Sequence, residues 1–283
     1  MQSSLIKHLG ISREQYISEI YMLDDGRVNF PYLEIDIVLG CNLRCIYCTH
    51  LSPYRKGYIP TEKIVYWFET WSEKIHPTEI KILGGEPFLH PELATVIFQA
   101  REIWKDQKIG LATNGLLIQK APQNVFDALK EAKVVVHISD HSDADLPYDE
   151  IVAGTARLEE NNIRYYIWPD NKTWCIQHLW DENNVPIPYK SLSIDAWSVC
   201  QSKYHPSLAN NQLYKCAILQ SMIEGVKEGS LHSSIWEDTR SYKPLSIDDN
   251  AATIMNHLLA CEVEACSICP DQIYITKSKQ LSH

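Results

Sequence analysis

The sequence predicts an α/β fold: parallel strand–helix units that form an open, incomplete barrel or a doubly wound sheet, followed by a smaller C-terminal module. Three observations lead there. Strand-like apolar runs alternate with helix-spaced segments five times between Leu33 and Trp168, in steps of roughly 25 to 30 residues, the length a parallel βαβ unit takes. The rhythm breaks after Trp168, where residues 169–217 are rich in Asn, Pro, Trp and Tyr and lack a long periodic helix. Five of the nine cysteines (Cys200, Cys216, Cys261, Cys266 and Cys269) lie beyond residue 195. A closed eight-step barrel takes about 250 residues. Five steps, with a candidate sixth strand at Leu192 to Ile194, leave a barrel open.

Each element has its own signal. Residues 1–30 are a lead-in in which Ser12-Arg13-Glu14 opens a short helix through Gln15 to Tyr21. Leu33 to Leu39 is the first strand, with Glu34 and Asp36 on one side of its alternation. Thr61-Glu62 opens a helix to Ile75, with Ile64, Trp67, Phe68 and Trp71 at helical spacing. Then follow strand Ile80–Leu83, helix Glu92–Lys105, strand Ile109–Ala112, helix Pro122–Lys130, strand Val134–Ile138, helix Asp149–Asn161 and strand Ile163–Trp168. Beyond the break, Leu213–Cys216 reads as a strand and Ala251–Ala260 as a helix. The chain thus divides into 1–30, 31–195 and 196–283.

Composition narrows the function. The 283 residues are 45% hydrophobic and 22% charged, which excludes disordered and fibrous chains. A net charge of -10 argues against a protein that grips nucleic acid by neutralising phosphates. No run of eighteen apolar residues occurs, so no membrane-spanning helix is expected, and Met1 to Gly10 carries no secretion signal. A cytoplasmic location follows as the default. There, nine cysteines point to metal or thiol chemistry rather than disulfides.

The strongest feature is Cys41-Asn42-Leu43-Arg44-Cys45-Ile46-Tyr47-Cys48, directly after the first strand, where parallel sheets place their ligands. Three thiolates this close can hold one metal centre, one short of a closed iron–sulfur site. A missing ligand leaves a position for a small chelating molecule, as catalytic zinc sites do. Zinc on these cysteines plus His50 is the alternative. Gly84-Gly85-Glu86-Pro87 ends the second strand and Thr113-Asn114-Gly115 the third. The glycines let backbone approach a ligand closely, and Glu86 can accept from an ammonium group. Ser139 and Asp140, at the end of the fourth strand, are placed for a ribose or substrate, or for a turn or N-cap.

On these motifs, over roughly residues 33–200, the chain resembles the radical S-adenosylmethionine enzymes, whose three cysteines are spaced three and then two apart with an aromatic before the last, here Tyr47 and Cys48. The resemblance implies a partial (β/α)6 TIM-like barrel over 31–195 and a [4Fe-4S] cluster on Cys41, Cys45 and Cys48. S-adenosylmethionine would chelate its open iron, with Gly84, Gly85, Glu86 and Pro87 at the methionine amine. One electron, from a donor such as flavodoxin or ferredoxin, would split the sulfonium to methionine and a 5'-deoxyadenosyl radical that takes a hydrogen atom from substrate.

Cys200, Cys216, Cys266 and Cys269 resemble the shortened auxiliary-cluster (twitch/SPASM-like) module of some members, which implies a second [4Fe-4S] cluster in 196–283. Zinc on the same thiolates is the alternative. Cys261 is a ligand in place of Cys200, a thiol hydrogen-atom donor, or a packing residue, and Cys175 reads as packing. The module implies dehydrogenation or epimerisation of a small polyhydroxylated substrate, an aminocyclitol or sugar derivative. Arg164, His178, Asp195, His205 and the rings of residues 165–214 are candidates for its contacts. Two rivals stand beside this: a peptide-modifying maturase of the same superfamily, and a zinc-stabilised interaction module. The maturase usually carries a longer N-terminal domain than the thirty residues expected here.

Overall fold

Strand order decides between the two architectures left open by periodicity. The computed structural model describes residues 12–140, 148–168, 173–183, 185–232, 234–236 and 239–277. In chain order its main elements are α1 (Arg13–Ser18), β1 (Tyr21–Met22), β2 (Val28–Val38), α2 (Thr61–Ser72), β3 (Ile75–Gly84), α3 (Leu93–Ile103), β4 (Lys108–Thr113), α4 (Gln123–Glu131), β5 (Val135–Ser139), α5 (Tyr148–Glu160) and β6 (Tyr165–Trp168). Then come β7 (Thr173–Cys175), β8 (Leu179–Trp180), β9 (Pro186–Ile187), α6 (Ser193–Val199), β10 (Ser207–Ala209), β11 (Gln212–Tyr214), α7 (Ala217–Lys227), α8 (Ala251–Leu259) and β12 (Ile275–Lys277). The strands β2-β3-β4-β5-β6 neighbour one another in sequence order, and β3 to β6 are parallel. A doubly wound sheet reverses its order at a switch point. Without a reversal, the winding is that of a partial barrel.

The chain falls into two units, Ile35–Glu69 with Glu79–Cys175 and Ile275–His283, and Met1–Glu34 with Thr70–Thr78 and Ile176–Tyr274. In the former, register separates two faces. Ile80, Ile82, Ile109, Leu111, Val136 and Ile138 share one face and are almost fully buried. The stripes Val96, Ile97 and Ala100 of α3 and Val125, Phe126 and Leu129 of α4 supply the buried side of the helix layer. Each Val, Ile, Leu or Phe among them contributes about 1.5–3 kcal/mol. The opposite face carries Lys81, Gly110, Ala112, His137, Ser139, Tyr166 and Trp168. Also in this unit, β7 pairs antiparallel with β12.

The other unit holds the first half of β2, on which β1 pairs antiparallel and beside which the β10–β11 hairpin lies. Ser12 and Gln15 close a capping box on α1, and Asn250 caps α8 through the Thr253 amide. Trp236 and Tyr214 are buried in its core.

The candidate sixth strand at Leu192–Ile194 is instead the start of α6, with Asp195 in its first turn, where the helix dipole favours an acid. The helix expected to run to Ile75 stops at Ser72, and Ile75 opens β3.

Candidate active site

Three strand ends meet at the first cysteine loop. After β2, the Leu39 and Gly40 amides both donate to the Gly57 carbonyl, at 3.0 and 3.1 Å. The loop then places Cys45 in the interior, with Cys41 and Cys48 half-buried. Tyr47 and Leu51 take left-handed backbone (φ 60° and 55°), a conformation that costs roughly 1–2 kcal/mol for a residue with a side chain. Leu51, fully buried, helps hold that turn. The Cys41 sulfur accepts from the Leu43 amide at 3.3 Å and from Asn114 Nδ2 at 3.6 Å. Asn114 also donates to Asn42 Oδ1 at 2.8 Å, so the end of β4 grips the cysteine loop.

The end of β3 completes the convergence. The Gly85 amide donates to the Val38 carbonyl at 2.8 Å and the Glu86 amide to the Gly40 carbonyl at 3.0 Å. A methyl at Gly84, whose φ is 139°, would strike the Val38 backbone, and one at Gly85 the Gly40 carbonyl. Only glycine lets these strand ends touch. Glu86 is fully buried. Its Oε1 accepts from Thr113 Oγ1 at 2.7 Å and the Phe88 amide at 3.1 Å, and its Oε2 from the Asn114 amide at 2.9 Å. The Phe88 bond makes Glu86 the cap of the short 3-10 turn Pro87–Leu89. Burial nonetheless pushes the Glu86 carboxyl up to about 7, against the pull of these three donors.

The arrangement suits a metal cluster. Burial, with the neighbouring charges of Glu86, Cys48 and Cys45, pushes the Cys41 thiol up to about 12. A thiol held up in this way ionises when a metal supplies compensating charge. Among the described residues no three His, Cys, Asp or Glu side chains are close enough to hold a single ion. A lone zinc needs every sulfur at about 2.3 Å, whereas an iron–sulfur cluster gives each thiolate its own iron. Three cysteines on one loop are the thiolate donors that such a cluster takes.

The same unit holds groups that the sequence did not single out as a set. Lys81 Nζ sits 2.9 Å from His137 Nε2 and 2.8 Å from Glu79 Oε1. Burial, and then the Lys81 charge, pull His137 down to about 4. The neutral ring therefore accepts from lysine at Nε2 and keeps its proton on Nδ1. Tyr166 and Trp168 stand beside that ring, at centroid distances of 5.7 and 6.4 Å. Asp36 is buried and lies 3.3 Å from His50 Nδ1. Ser139 and Asp140 stand at the end of β5, with Asp140 buried.

The second cysteine set lies in the other unit. Cys200 ends α6, Cys216 caps α7 through the Leu219 amide at 3.5 Å, and Cys266 accepts from the Val263 amide at 3.5 Å. Burial raises the Cys216, Cys266 and Cys269 thiols. Cys200, Cys216 and Cys266 raise Cys269 further by their charge, which marks these four as neighbours. Cys261 acts instead on Lys215 and Tyr204. The polar candidates disperse. His205 pairs with Glu34 at 2.8 Å, His178 is buried beside Trp180, and Trp197 is covered by Arg13 and Lys203.

A family model described as the Radical SAM superfamily matches residues 35–164. The GTP 3',8-cyclase of Thermodesulfovibrio yellowstonii is 35% identical over 120 residues, 40% of this chain and 37% of that protein. That of Clostridium acetobutylicum is 31% identical over 123 residues, 42% and 37% of the two chains. A probable GTP 3',8-cyclase of Methanococcus aeolicus is 34% identical over 137 residues, 46% and 44%. The matches thus span less than half the length of these curated relatives. Among solved structures, BtrN in complex with AdoMet and 2-DOIA aligns with a TM-score of 0.47 at 14% identity, over 87% of this chain and 97% of that one. Among the described residues no helix is long and apolar enough to cross a membrane.

Proposed function

Residues 35–164 are a radical SAM domain, and from that premise we propose that the chain is an enzyme removing a carbon-bound hydrogen atom from a small, hydroxyl-rich molecule such as a sugar or aminocyclitol. The observation that carries this is the junction of three strand ends, in which Asn114 bonds the Cys41 sulfur through its side chain and Glu86 through its amide. Cys41, Cys45 and Cys48 would hold a [4Fe-4S] cluster, with S-adenosylmethionine beside Gly84–Pro87. When bound, these groups supply one-electron reduction of a sulfonium and, through it, hydrogen-atom abstraction.

The chain's own side chains do the rest. Glu86 is poised to accept from an ammonium group, which would draw its carboxyl back toward ionisation. Thr113 and Asn114 fix its oxygens. Lys81 and His137 offer a buried positive charge and an Nδ1–H donor on the sheet face that also carries Tyr166 and Trp168, a surface for the ring and oxygens of a substrate. Tyr47, Ser139 and Asp140 border the cofactor in this reading. Cys200, Cys216, Cys266 and Cys269 would hold an auxiliary cluster, and Cys261 would be the hydrogen-atom donor of an epimerase. A donor such as flavodoxin or ferredoxin would deliver the electron.

A second reading, nucleotide cyclisation, is favoured by the relatives named GTP 3',8-cyclase. One experiment separates the two. Anaerobically reconstituted protein is reduced with dithionite and S-adenosylmethionine, and 5'-deoxyadenosine is measured with GTP, with a panel of aminocyclitols and sugars, and with neither. Deuterium moving from a cyclitol or sugar carbon into 5'-deoxyadenosine supports the first reading; a cyclised product from GTP supports the second. Failure to form 5'-deoxyadenosine under every condition would overturn both.

A further inference from the structure

The second cysteine set is tied together by a side chain that is not itself a candidate ligand. Lys215 is 5% exposed. Its Nζ donates to the carbonyls of His257 at 2.7 Å, Leu258 at 3.2 Å and Ala260 at 2.6 Å. These belong to the C-terminal end of α8, where a helix leaves its last carbonyls without intrahelical donors and where its dipole favours a cation. The Lys215 amide in turn donates to Tyr242 Oη at 2.7 Å. Both backbone and side chain of this residue are therefore fixed.

What Lys215 joins is specific. On one side it precedes Cys216, the cap of α7. On the other, the carbonyl of Ala260 precedes Cys261 and the segment that turns through Val263 into Cys266 and Cys269. The acidic groups that act on its ammonium among the described residues are the sulfurs of Cys216, Cys266 and Cys261. A buried lysine is costly unless its donors and its charge are both answered. Here three carbonyls answer the donors, and ionised sulfurs would answer the charge.

We propose that Lys215 is the positioning residue of the second cysteine site: it clamps the start of α7 at Cys216 to the segment bearing Cys266 and Cys269, and it supplies the positive charge that lets thiolates gather there around one iron–sulfur centre. The inference rests on reading Cys200, Cys216, Cys266 and Cys269 as an auxiliary cluster site. A cluster with four thiolates is anionic and gains further negative charge on reduction, so a cation held beside it in a low-dielectric setting raises its potential.

The test uses the full chain with Cys41→Ala, Cys45→Ala and Cys48→Ala, so that only the second set remains. After anaerobic reconstitution, iron and sulfide are counted per chain and the midpoint potential is read by EPR-monitored titration. Lys215→Met should lower the iron content to less than half that of the parent and move the potential of the remaining cluster to more negative values. Lys215→Arg, which keeps charge and donors, should restore most of both. Should Lys215→Met fail to fold, Lys215→Gln keeps donors for the α8 carbonyls without the charge, and a loaded cluster with a more negative potential is then expected. Iron content and potential unchanged in Lys215→Met, or potential unchanged in folded Lys215→Gln, would overturn the clamp. If instead the parent itself binds no iron, the auxiliary-cluster reading fails, and the inference with it.

Discussion

Glu86 is a carboxyl whose folded environment opposes its charge. Unfolded, it loses its proton near 4.5; folded, it holds the proton until about 7. A raised carboxyl favours the fold at low pH, and that advantage is lost as pH climbs between those values, by roughly 3 kcal/mol at most. The iron-free Glu86→Gln protein should therefore gain about 2–3 kcal/mol on the parent between pH 5 and pH 8, which urea unfolding at the two pH values measures. A constant difference would mean that Glu86 titrates near its ordinary value. His137 shows the opposite sign. Its folded pKa of about 4 lies below the ordinary 6.5, so stability is lost as pH falls through that interval. Lys81→Met removes the facing cation, and ring protonation of His137 followed by NMR should move to higher pH. The Lys81–His137 pair escaped sequence reading because its members stand on β3 and β5, 56 residues apart; only strand register brings them onto one face.

At the scale of elements, the site depends on how closely two strand ends approach. A methyl on Gly85 meets a backbone carbonyl, which cannot rotate away as a side chain can. Gly85→Ala should destabilise the protein by roughly 2–4 kcal/mol and lower iron retention at Cys41, Cys45 and Cys48. Thermal unfolding and iron counting after desalting check this; a stability within 0.5 kcal/mol of the parent, about the scatter of neutral surface changes, would contradict it. The same scale explains what was legible. The runs Ile80–Leu83, Ile109–Ala112 and Val134–Ile138 announced β3, β4 and β5 because an apolar helix-facing row alternates with the other face. The cysteine loop was legible because its three cysteines are local in sequence. Leu192–Ile194 misled because three residues carry no period. The clamp at Lys215 was invisible for a further reason: its partners are carbonyls, which every residue has.

At the scale of the whole molecule, the two cysteine sets lie in different units: Cys41, Cys45 and Cys48 within Ile35–Glu69, and Cys200, Cys216, Cys266 and Cys269 within Ile176–Tyr274. In both sets burial raises thiols, Cys41 in one and Cys216, Cys266 and Cys269 in the other, so an iron-free site favours neutral sulfur. Metal loading must drive protons off, and the binding energy then appears as added stability of the elements that carry the ligands. Local opening reports such stability segment by segment. Hydrogen exchange of the reconstituted protein should therefore show two separable effects. Cys41→Ala with Cys45→Ala and Cys48→Ala should speed exchange in 35–69 while α7 exchanges as in the parent, and should leave about half the iron, one cluster of two. Cys266→Ala with Cys269→Ala should speed exchange in α7 and α8 while β3 and β4 stay protected, again with about half the iron. Equal loss of protection in both units in each variant would contradict separable loading, and iron lost from only one of the two variants would show that a single set holds it.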